Sequence, residues 1–358
     1  MKELNKSTLE AYVNRAREVF FKRMFWTMFF PLKYTTQLTW ESLAGSAGSP
    51  VMADVIEYNA SSPLKSRRTV SKASGDIPKI GIKRKMDEKD WNDYNTLKAL
   101  ANDSNRSAVL DIVFNDVDFA YEGVLARTEF LCMQALSYGG LSLDANNNNG
   151  VITETAVDFG IPSGNKTAVD TVWSTAASAT PITDIRGVVD DAEDNGHVVN
   201  NIVIDKATLN YALATTEVKD TFSTFQRLST SRRNIVTLDD LNNMLQAMML
   251  PQVIVVDSSV RFENGEHTLS TVKPWKTGYV SFISDMKVGK VLHGPIAEEN
   301  AESVIKKSTM VKRDHVLISK WSELEPFGEF TKGQANAFPA FNDVDSIYIL
   351  KTNGTTWS

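Results

Sequence analysis

Apolar residues recur at three- and four-residue steps from about Asp103 to Tyr138, and this spacing predicts one long helix. Asp103 or Ser104 can cap its start, and Gly139-Gly140 can end it. A helix of about 35 residues would be roughly 50 Å long. We interpret it as a spine with a single apolar stripe, across which shorter elements lie. A coiled coil is the alternative, but no heptad register is sustained.

Two further helices are predicted between residues 181 and 258 from residues that can bond to free backbone N–H groups. Thr183 is placed to cap one helix, which Asn195-Gly196 would end. Thr237 with Asp240 forms a capping-box pattern that opens the other.

Short apolar runs predict strands around these helices. Asn201–Asp205 and Val253–Asp257 have the composition of buried strands, and Asn264-Gly265 predicts a hairpin turn. Strands at Val316–Lys320 and Ser346–Lys351 are expected to return to the sheet beside the spine. The alternation of helices and strands predicts an α+β chain.

The amino-terminal part is aromatic, but charges interrupt it too often for a membrane segment. Only Met24–Leu32 is uncharged, about half of what a span needs, and no cleavage site of a signal peptide follows. We interpret it as an arm that packs on its own core or on a neighbouring molecule. The candidate anchors are Phe25, Trp26, Phe29 and Phe30. We expect no core between residues 40 and 90.

Charge changes the picture at residues 64–85. The chain has 358 residues, 42% of them hydrophobic and 23% charged, and a formal net charge of −6. This composition is typical of a soluble globular protein. The window nevertheless holds a single acid, Asp76, among the basic residues Lys65, Arg67, Arg68, Lys72, Lys79, Lys83, Arg84 and Lys85. We interpret it as an extended two-limbed loop that contacts an acidic copy of the same protein.

An acidic run offers candidate partners for this loop. Val188, Val189 and Ala192 would define the buried side of a helix, which leaves a solvated face with Asp190, Asp191, Glu193 and Asp194. A metal or acid–base site with His197 is the alternative, but helical geometry scatters these carboxylates.

The sequence gives no pattern for catalysis or for a cofactor. Asp144–Gly150 resembles a calcium loop, but Asn149 and Thr155 stand where glycine and glutamate are needed. The single cysteine, Cys132, excludes an intramolecular disulfide and fits a small core residue of the spine. We therefore expect no enzyme, no metal and no cofactor. A pI near 5.4 also argues against tight nucleic-acid binding by the body of the protein.

The order of these elements resembles the major capsid proteins of tailed bacteriophages, which have the Hong Kong 97-like fold. Within that group the chain is most similar to the lambda-type capsid protein E family. The resemblance is co-linear from about residue 20 to 350, and it is carried by Phe29–Gly45, Trp173, Thr183–Asp205 and Phe262–Gly265.

The resemblance implies an α+β Hong Kong 97-like fold in five segments. The extended loop would lie over an adjacent subunit, and the axial domain would meet its copies around five-fold and six-fold axes. The segments are the N-terminal arm at 1–54, the extended loop at 55–90, the peripheral domain with the spine helix at 91–165, the axial domain at 166–300 and a return to the peripheral domain at 301–358.

The resemblance also implies a function. Copies would form hexamers and pentamers of an icosahedral shell around double-stranded DNA, with weak non-specific DNA contact and no membrane. The shell would assemble in the host bacterial cytoplasm and reside in the virion. We expect a separate scaffolding protein, because no long helical N-terminal extension is present, together with a portal protein and an optional decoration protein. Alternatives are an encapsulin-like or other virion structural protein, or a nucleic-acid-binding protein that uses the basic residues at 64–85.

Overall fold

The computed structural model describes residues 13, 24–44, 71–100, 106–144, 147–148, 155–226, 235–264, 268–300, 308–325 and 327–357. Structural statements below concern these residues. The predicted helix caps Asp103 and Ser104 lie outside them, as do Lys65, Arg67 and Arg68.

Helices and strands of comparable extent make up the chain, which confirms the α+β prediction. The helices are α1 Trp26–Phe29, α2 Glu88–Leu100, α3 Arg106–Tyr138, α4 Pro181–Asp194, α5 Lys206–Ala214, α6 Thr216–Phe225, α7 Leu238–Ala247 and α8 Ala297–Asn300. The strands are β1 Leu32–Tyr34, β2 Thr39–Ala44, β3 Ser71–Asp76, β4 Lys79–Met86, β5 Gly140–Leu143, β6 Thr155–Asp158, β7 Lys166–Ala168, β8 Asn201–Asp205, β9 Gln252–Val256, β10 Val260–Glu263, β11 Leu269–Val272, β12 Tyr279–Ile283, β13 Gly289–His293, β14 Thr309–Arg313, β15 Val316–Leu324, β16 Phe327–Phe341 and β17 Tyr348–Lys351. Within the described residues, no helix has both the length and the apolar character that a bilayer crossing requires.

The first of two compact units contains the described parts of Met1–Trp40, Gly75–Cys132 and Lys290–Pro339. Its sheet has the order β1-β13-β16-β15-β14, and β4 also pairs with β16. The long strand β16 runs antiparallel to both β15 and β4. Helix α3 approaches this sheet closely at Gly333, where a side chain would meet the backbone of Ala120.

Helix α3 confirms the predicted spine in position and in its end at Gly139, which has a positive φ of 73°. The single apolar stripe is wrong for its last turns. Thr128, Glu129 and Ser137 are as buried as the apolar residues between them, and Cys132 is fully buried. This part of the helix is covered on every side, so its polar side chains need partners inside the protein.

The second unit contains the described parts of Glu41–Ser74, Met133–Gly289 and Ala340–Ser358. Its sheet has the order β7-β17-β12-β8-β9, with β8 and β9 parallel and β12 antiparallel to its two neighbours. Side chains of α4, α7 and β8 share one apolar core, which includes Ile185, Leu241 and Ile202. The predicted strands β8 and β9 and the antiparallel pair β10–β11 are confirmed.

Of the two predicted helix N-caps, one is confirmed and the other is wrong. Thr237 and Asp240 form the predicted capping box at α7. Helix α4 begins earlier than predicted, at Pro181 after Thr180. Thr183 is not its cap, because its hydroxyl donates a 2.6 Å hydrogen bond to Glu217 instead.

The strands of the carboxyl-terminal part join two different sheets, and the predicted return to the peripheral domain at 301–358 stays a prediction. Strands β14 to β16 do join the sheet of the first unit, but β17 lies between β7 and β12 in the sheet of the second unit. The chain therefore alternates between the units, which divide at Cys132 and Gly289, while the predicted domain bounds of 91–165 and 166–300 stay predictions.

Candidate assembly surfaces

Strand β4 holds the carboxyl-terminal half of the predicted basic loop within its own subunit. Residues Lys79–Met86 pair with Glu329–Asn336 of β16 in an antiparallel register. Ile80 and Met86 lie on one face of this strand and are buried in the core, while the predicted bounds of the extended loop, 55–90, stay a prediction. Lys72 lies in β3, which pairs with β2. Buried Trp40 also corrects the expectation that residues 40–90 contain no core.

Arg84 contacts acidic and aromatic groups of its own subunit. Its guanidinium nitrogen lies 3.2 Å from a carboxylate oxygen of Asp116, and its central carbon lies 4.0 Å from the ring centroid of Phe119. Arg84 thus forms an intramolecular ion pair with a cation–π contact, and its contact with a neighbouring subunit stays a prediction.

Lys79 also has an ion-pair partner within its own subunit. The Nζ atoms of Lys79 and Lys332 lie 3.2 Å and 3.0 Å from the same oxygen of Glu298 in α8. Burial alone would raise the pKa of the Glu298 carboxyl, but hydrogen bonds from Lys332, from its own backbone and from Lys79 outweigh this and hold the pKa at about 2. Glu298 is therefore ionised and joins α8 to β4 and β16.

Lys83 and Lys85 are different, because both are exposed and neither has a carboxylate partner within 4.0 Å in the part of the chain that the structure describes. Their ammonium groups lie 5.0 Å and 5.9 Å from the ring centroid of Phe330, and Trp321 stacks on this ring at 5.3 Å. We call Lys83, Lys85, Trp321 and Phe330 the basic–aromatic surface.

The acidic run lies where the sequence predicts. Asp190, Asp191, Glu193 and Asp194 are all exposed on α4. The opposite side of the helix, with Val188, Val189 and Ala192, is buried in the core of the second unit. We call the four acids the acidic helix face. Among the described residues, no lysine or arginine forms an ion pair with them, and none lies in the last turn of α4.

The aromatic arm packs on its own subunit. Trp26, Phe29 and Phe30 are at most 1% exposed, so the prediction that they anchor a neighbouring subunit is wrong. The backbone N–H of Trp26 donates a 2.8 Å hydrogen bond to Glu129, which ties α1 to the buried part of α3. Of the four predicted anchors, Phe25 is the one that is partly exposed, so its contact with a neighbour stays a prediction.

A buried polar cluster beside this arm has no signal in the sequence. His315 is 1% exposed, and its Nε2 lies 3.3 Å from the hydroxyl oxygen of Thr128. The ring of Trp26 meets it edge-on at 5.8 Å, and the ring of His293 lies 6.2 Å away. Burial, reinforced by the electrostatic effect of His293 and Lys312, lowers the pKa of His315 to about 3.

A buried ion pair lies elsewhere in the same sheet. Nζ of Lys320 is 2.6 Å from a carboxylate oxygen of Glu329, and both side chains are almost fully buried. Burial lowers the pKa of Lys320 to about 8, against the opposing effect of Asp116. No group of metal-ligating side chains is found among the described residues.

Comparisons with known proteins agree with this architecture. The family model described as phage major capsid protein E matches residues 6–352. The chain belongs to this family. No curated protein sequence matches it.

Two solved structures show the fold. One is the putative capsid protein of a prophage of Escherichia coli CFT073, with 15% identity, a TM-score of 0.59 and coverage of 97% of this chain and 99% of that one. The other is a phage-related protein of Bordetella bronchiseptica RB50, with 13% identity, a TM-score of 0.51 and coverage of 98% and 97%. The predicted family and fold are confirmed. As a member of this family, the protein forms a capsid shell.

Proposed function

We propose that copies of this capsid protein form hexamers and pentamers of an icosahedral shell around the double-stranded DNA genome of a tailed phage. The family match over residues 6–352 supports the shell-forming role. A closed shell requires heterologous contacts, in which each copy offers two different surfaces that complement each other. The basic–aromatic surface and the acidic helix face are such a pair.

We propose that the basic–aromatic surface of one copy contacts the acidic helix face of the next. The carrying observation is that Lys83 and Lys85 are exposed with no carboxylate partner among the described residues. A cationic group of another copy would stabilise the acids of α4, because these acids repel one another. Asp190 has like charges three and four residues further on, at Glu193 and Asp194, and all lie near the negative end of the helix dipole.

The charged pairs would orient the copies more than hold them together. An exposed ion pair contributes about 0–1 kcal/mol, so binding strength must come from many repeated contacts and from apolar groups. Trp321, partly exposed beside the two lysines, supplies such a group. Contacts of Lys65, Arg67, Arg68 and Lys72 with an adjacent subunit remain predictions.

A charge-reversal series tests the contact. Lys83→Glu with Lys85→Glu should leave the subunit folded, because both side chains are exposed, and should abolish particles in negative-stain micrographs. Adding Asp190→Lys and Asp191→Lys to the same chain should restore particles, since the surfaces would then attract again with the charges exchanged. Lys273→Glu with Lys287→Glu, also exposed lysines, is the control with the same change in net charge and should assemble.

Particles from the Lys83 and Lys85 double variant at the wild-type concentration would show that this surface does not join copies, and would leave the shell-forming role intact. A wild-type chain that forms no shells, tubes or hexamers, alone or with a scaffolding protein, would contradict that role. DNA binding by a monomer, weakening steeply with salt, would instead favour the nucleic-acid-binding alternative.

The remaining partners are part of the same proposal. A separate scaffolding protein and a portal protein would act during assembly in the host bacterial cytoplasm, and a decoration protein would bind the finished shell. Contact with packaged DNA would be weak and non-specific, because the chain carries a net charge of −6.

A further inference from the structure

Met249, directly after α7, is both strained and exposed. Its φ of 58° lies in the left-handed region, where the β-carbon of any residue other than glycine crowds the following carbonyl oxygen. Its side chain is 93% exposed. An apolar side chain therefore occupies a position that favours glycine, and it contacts almost nothing in its own subunit.

The turn around Met249 is firmly held. The N–H of Met249 donates to the carbonyl of Gln246 at 3.0 Å, and the N–H of Leu250 donates to that of Leu245 at 2.8 Å, the bonding pattern of a Schellman motif. The side-chain amide of Asn242 both donates to and accepts from the backbone of Val253, at 3.1 Å and 2.7 Å. Met249 is thus presented in a fixed position.

The subunit itself gains nothing from methionine at this place. Met248 packs against the core of the second unit, and Leu250 is buried in it. Both backbone hydrogen bonds of the motif are independent of the side chain at 249, so glycine would make them without the steric cost. A strained and exposed residue of this kind points to a role outside the subunit.

The surroundings of Met249 identify the chemistry of the partner. No charged residue occurs from Leu241 to Val256, although Asp240 and Asp257 border this stretch. We call its exposed residues the neutral turn surface: Asn243, Gln246, Ala247, Met249 and Gln252. Cores of protein interfaces are depleted of charge and enriched in methionine. Because the chain forms a shell from copies of itself, another copy is the partner that such an uncharged surface would contact.

We propose that Met249 is an anchor by which the neutral turn surface packs against a second copy of this chain in the shell. This inference rests on the shell-forming role proposed above. It is independent of the charged contact, because it uses a different surface and no ion pair.

Three substitutions of the full-length chain separate strain from contact. Met249→Gly removes both the strain and the anchor, so the melting temperature of the subunit should rise by about 2 °C while the concentration needed for assembly rises about tenfold. Met249→Gln keeps the strain but places a polar group in the contact, so assembly should weaken with no rise in melting temperature. Met249→Leu keeps an apolar side chain of similar volume and should assemble as the wild type does.

Melting is followed by differential scanning fluorimetry, and assembly by light scattering and negative-stain microscopy over a concentration series. A Met249→Gly chain that is more stable and assembles at the wild-type concentration would overturn the anchor and leave the shell-forming role standing. Equal loss of assembly in Met249→Leu and Met249→Gln would also overturn it. A wild-type chain without particles would overturn the shell-forming role itself, and the anchor with it.

Discussion

At the scale of single residues, His315 illustrates how an ordinary titratable group becomes dependent on the fold. It lies among Thr128, Trp26 and His293, and its Nδ1 has no hydrogen-bond partner among the described residues. A charge on this ring would be buried without compensation. The folded protein therefore keeps the imidazole neutral.

The stability of the subunit should fall in acid because of this histidine. Its pKa is about 3 in the folded protein against 6.5 ordinarily, so the unfolded chain binds the proton first. The contribution is complete above pH 6.5 and declines as the pH falls towards 3, by about 1.4 kcal/mol per pH unit. We expect the free energy of unfolding to be about 2 kcal/mol lower at pH 5 than at pH 7 from this group alone.

Urea denaturation of the wild type and of His315→Gln at the two pH values measures this effect. The variant should be less stable at pH 7, but it should lose less stability between pH 7 and pH 5. Parallel pH dependence in the two proteins would show that the ring does not carry the effect.

Residue-level predictability follows from the distance over which a side chain acts. Thr237 and Asp240 are three residues apart, so their capping box can be predicted from sequence alone. Thr183 looked equivalent, but its partner Glu217 comes from another helix. The aromatic arm shows the same limit, since its composition predicts burial without telling whether its own core or a neighbour covers Trp26.

At the scale of elements, the contact of α3 with β16 depends on the absence of a side chain. A β-carbon at Gly333 would overlap the carbonyl oxygen of Ala120 and lie 2.8 Å from its carbonyl carbon. Both are backbone atoms, so neither can move without shifting a whole element.

Gly333→Ala should therefore destabilise the protein by about 3 kcal/mol. Gly187→Ala is the matched control, because Gly187 lies on the exposed side of α4 with no atom within 4 Å of its missing β-carbon. That change should stabilise by about 0.5–1 kcal/mol through helix propensity. Urea unfolding followed by tryptophan fluorescence measures both, and two substitutions of equal effect would argue against the close approach.

Elements were predictable where their own pattern sufficed. The spine has apolar residues at three- and four-residue steps, and β8 and β9 are short apolar runs. The structure contains all three elements. Strand β4 alternates Lys79, Ile80 and their successors in the same clear way, but the partner strand β16 lies far along the chain. The basic residues suggested a loop that extends from the subunit, because charge is visible in the sequence and the pairing of β4 with β16 is not.

At the scale of the whole molecule, salt should weaken the charged contact and leave the contact of Met249 unchanged. The screening length falls from about 10 Å at 0.1 M to about 3 Å at 1 M ionic strength. The rate of assembly should therefore fall about tenfold over this range of sodium chloride, because oriented encounter depends on the basic–aromatic surface. Met249→Gln should show the same salt slope as the wild type, since its contact carries no charge.

Stopped-flow light scattering at matched protein concentration gives both rates. The Lys83→Glu and Lys85→Glu chain with its compensating Asp190→Lys and Asp191→Lys changes should regain the wild-type slope. A rate that is unaffected by salt would separate assembly from the charged surfaces.

The position of β17 in its sheet has a consequence for folding during synthesis. This strand lies between β7 and β12, yet the ribosome makes it long after both. Until translation has passed residue 351, the edges of β7 and β12 that it will join are bare, and bare edges invite wrong pairings. Truncated chains would thus lack a complete sheet. Only chains translated beyond this strand would fold fully and could join an assembling shell.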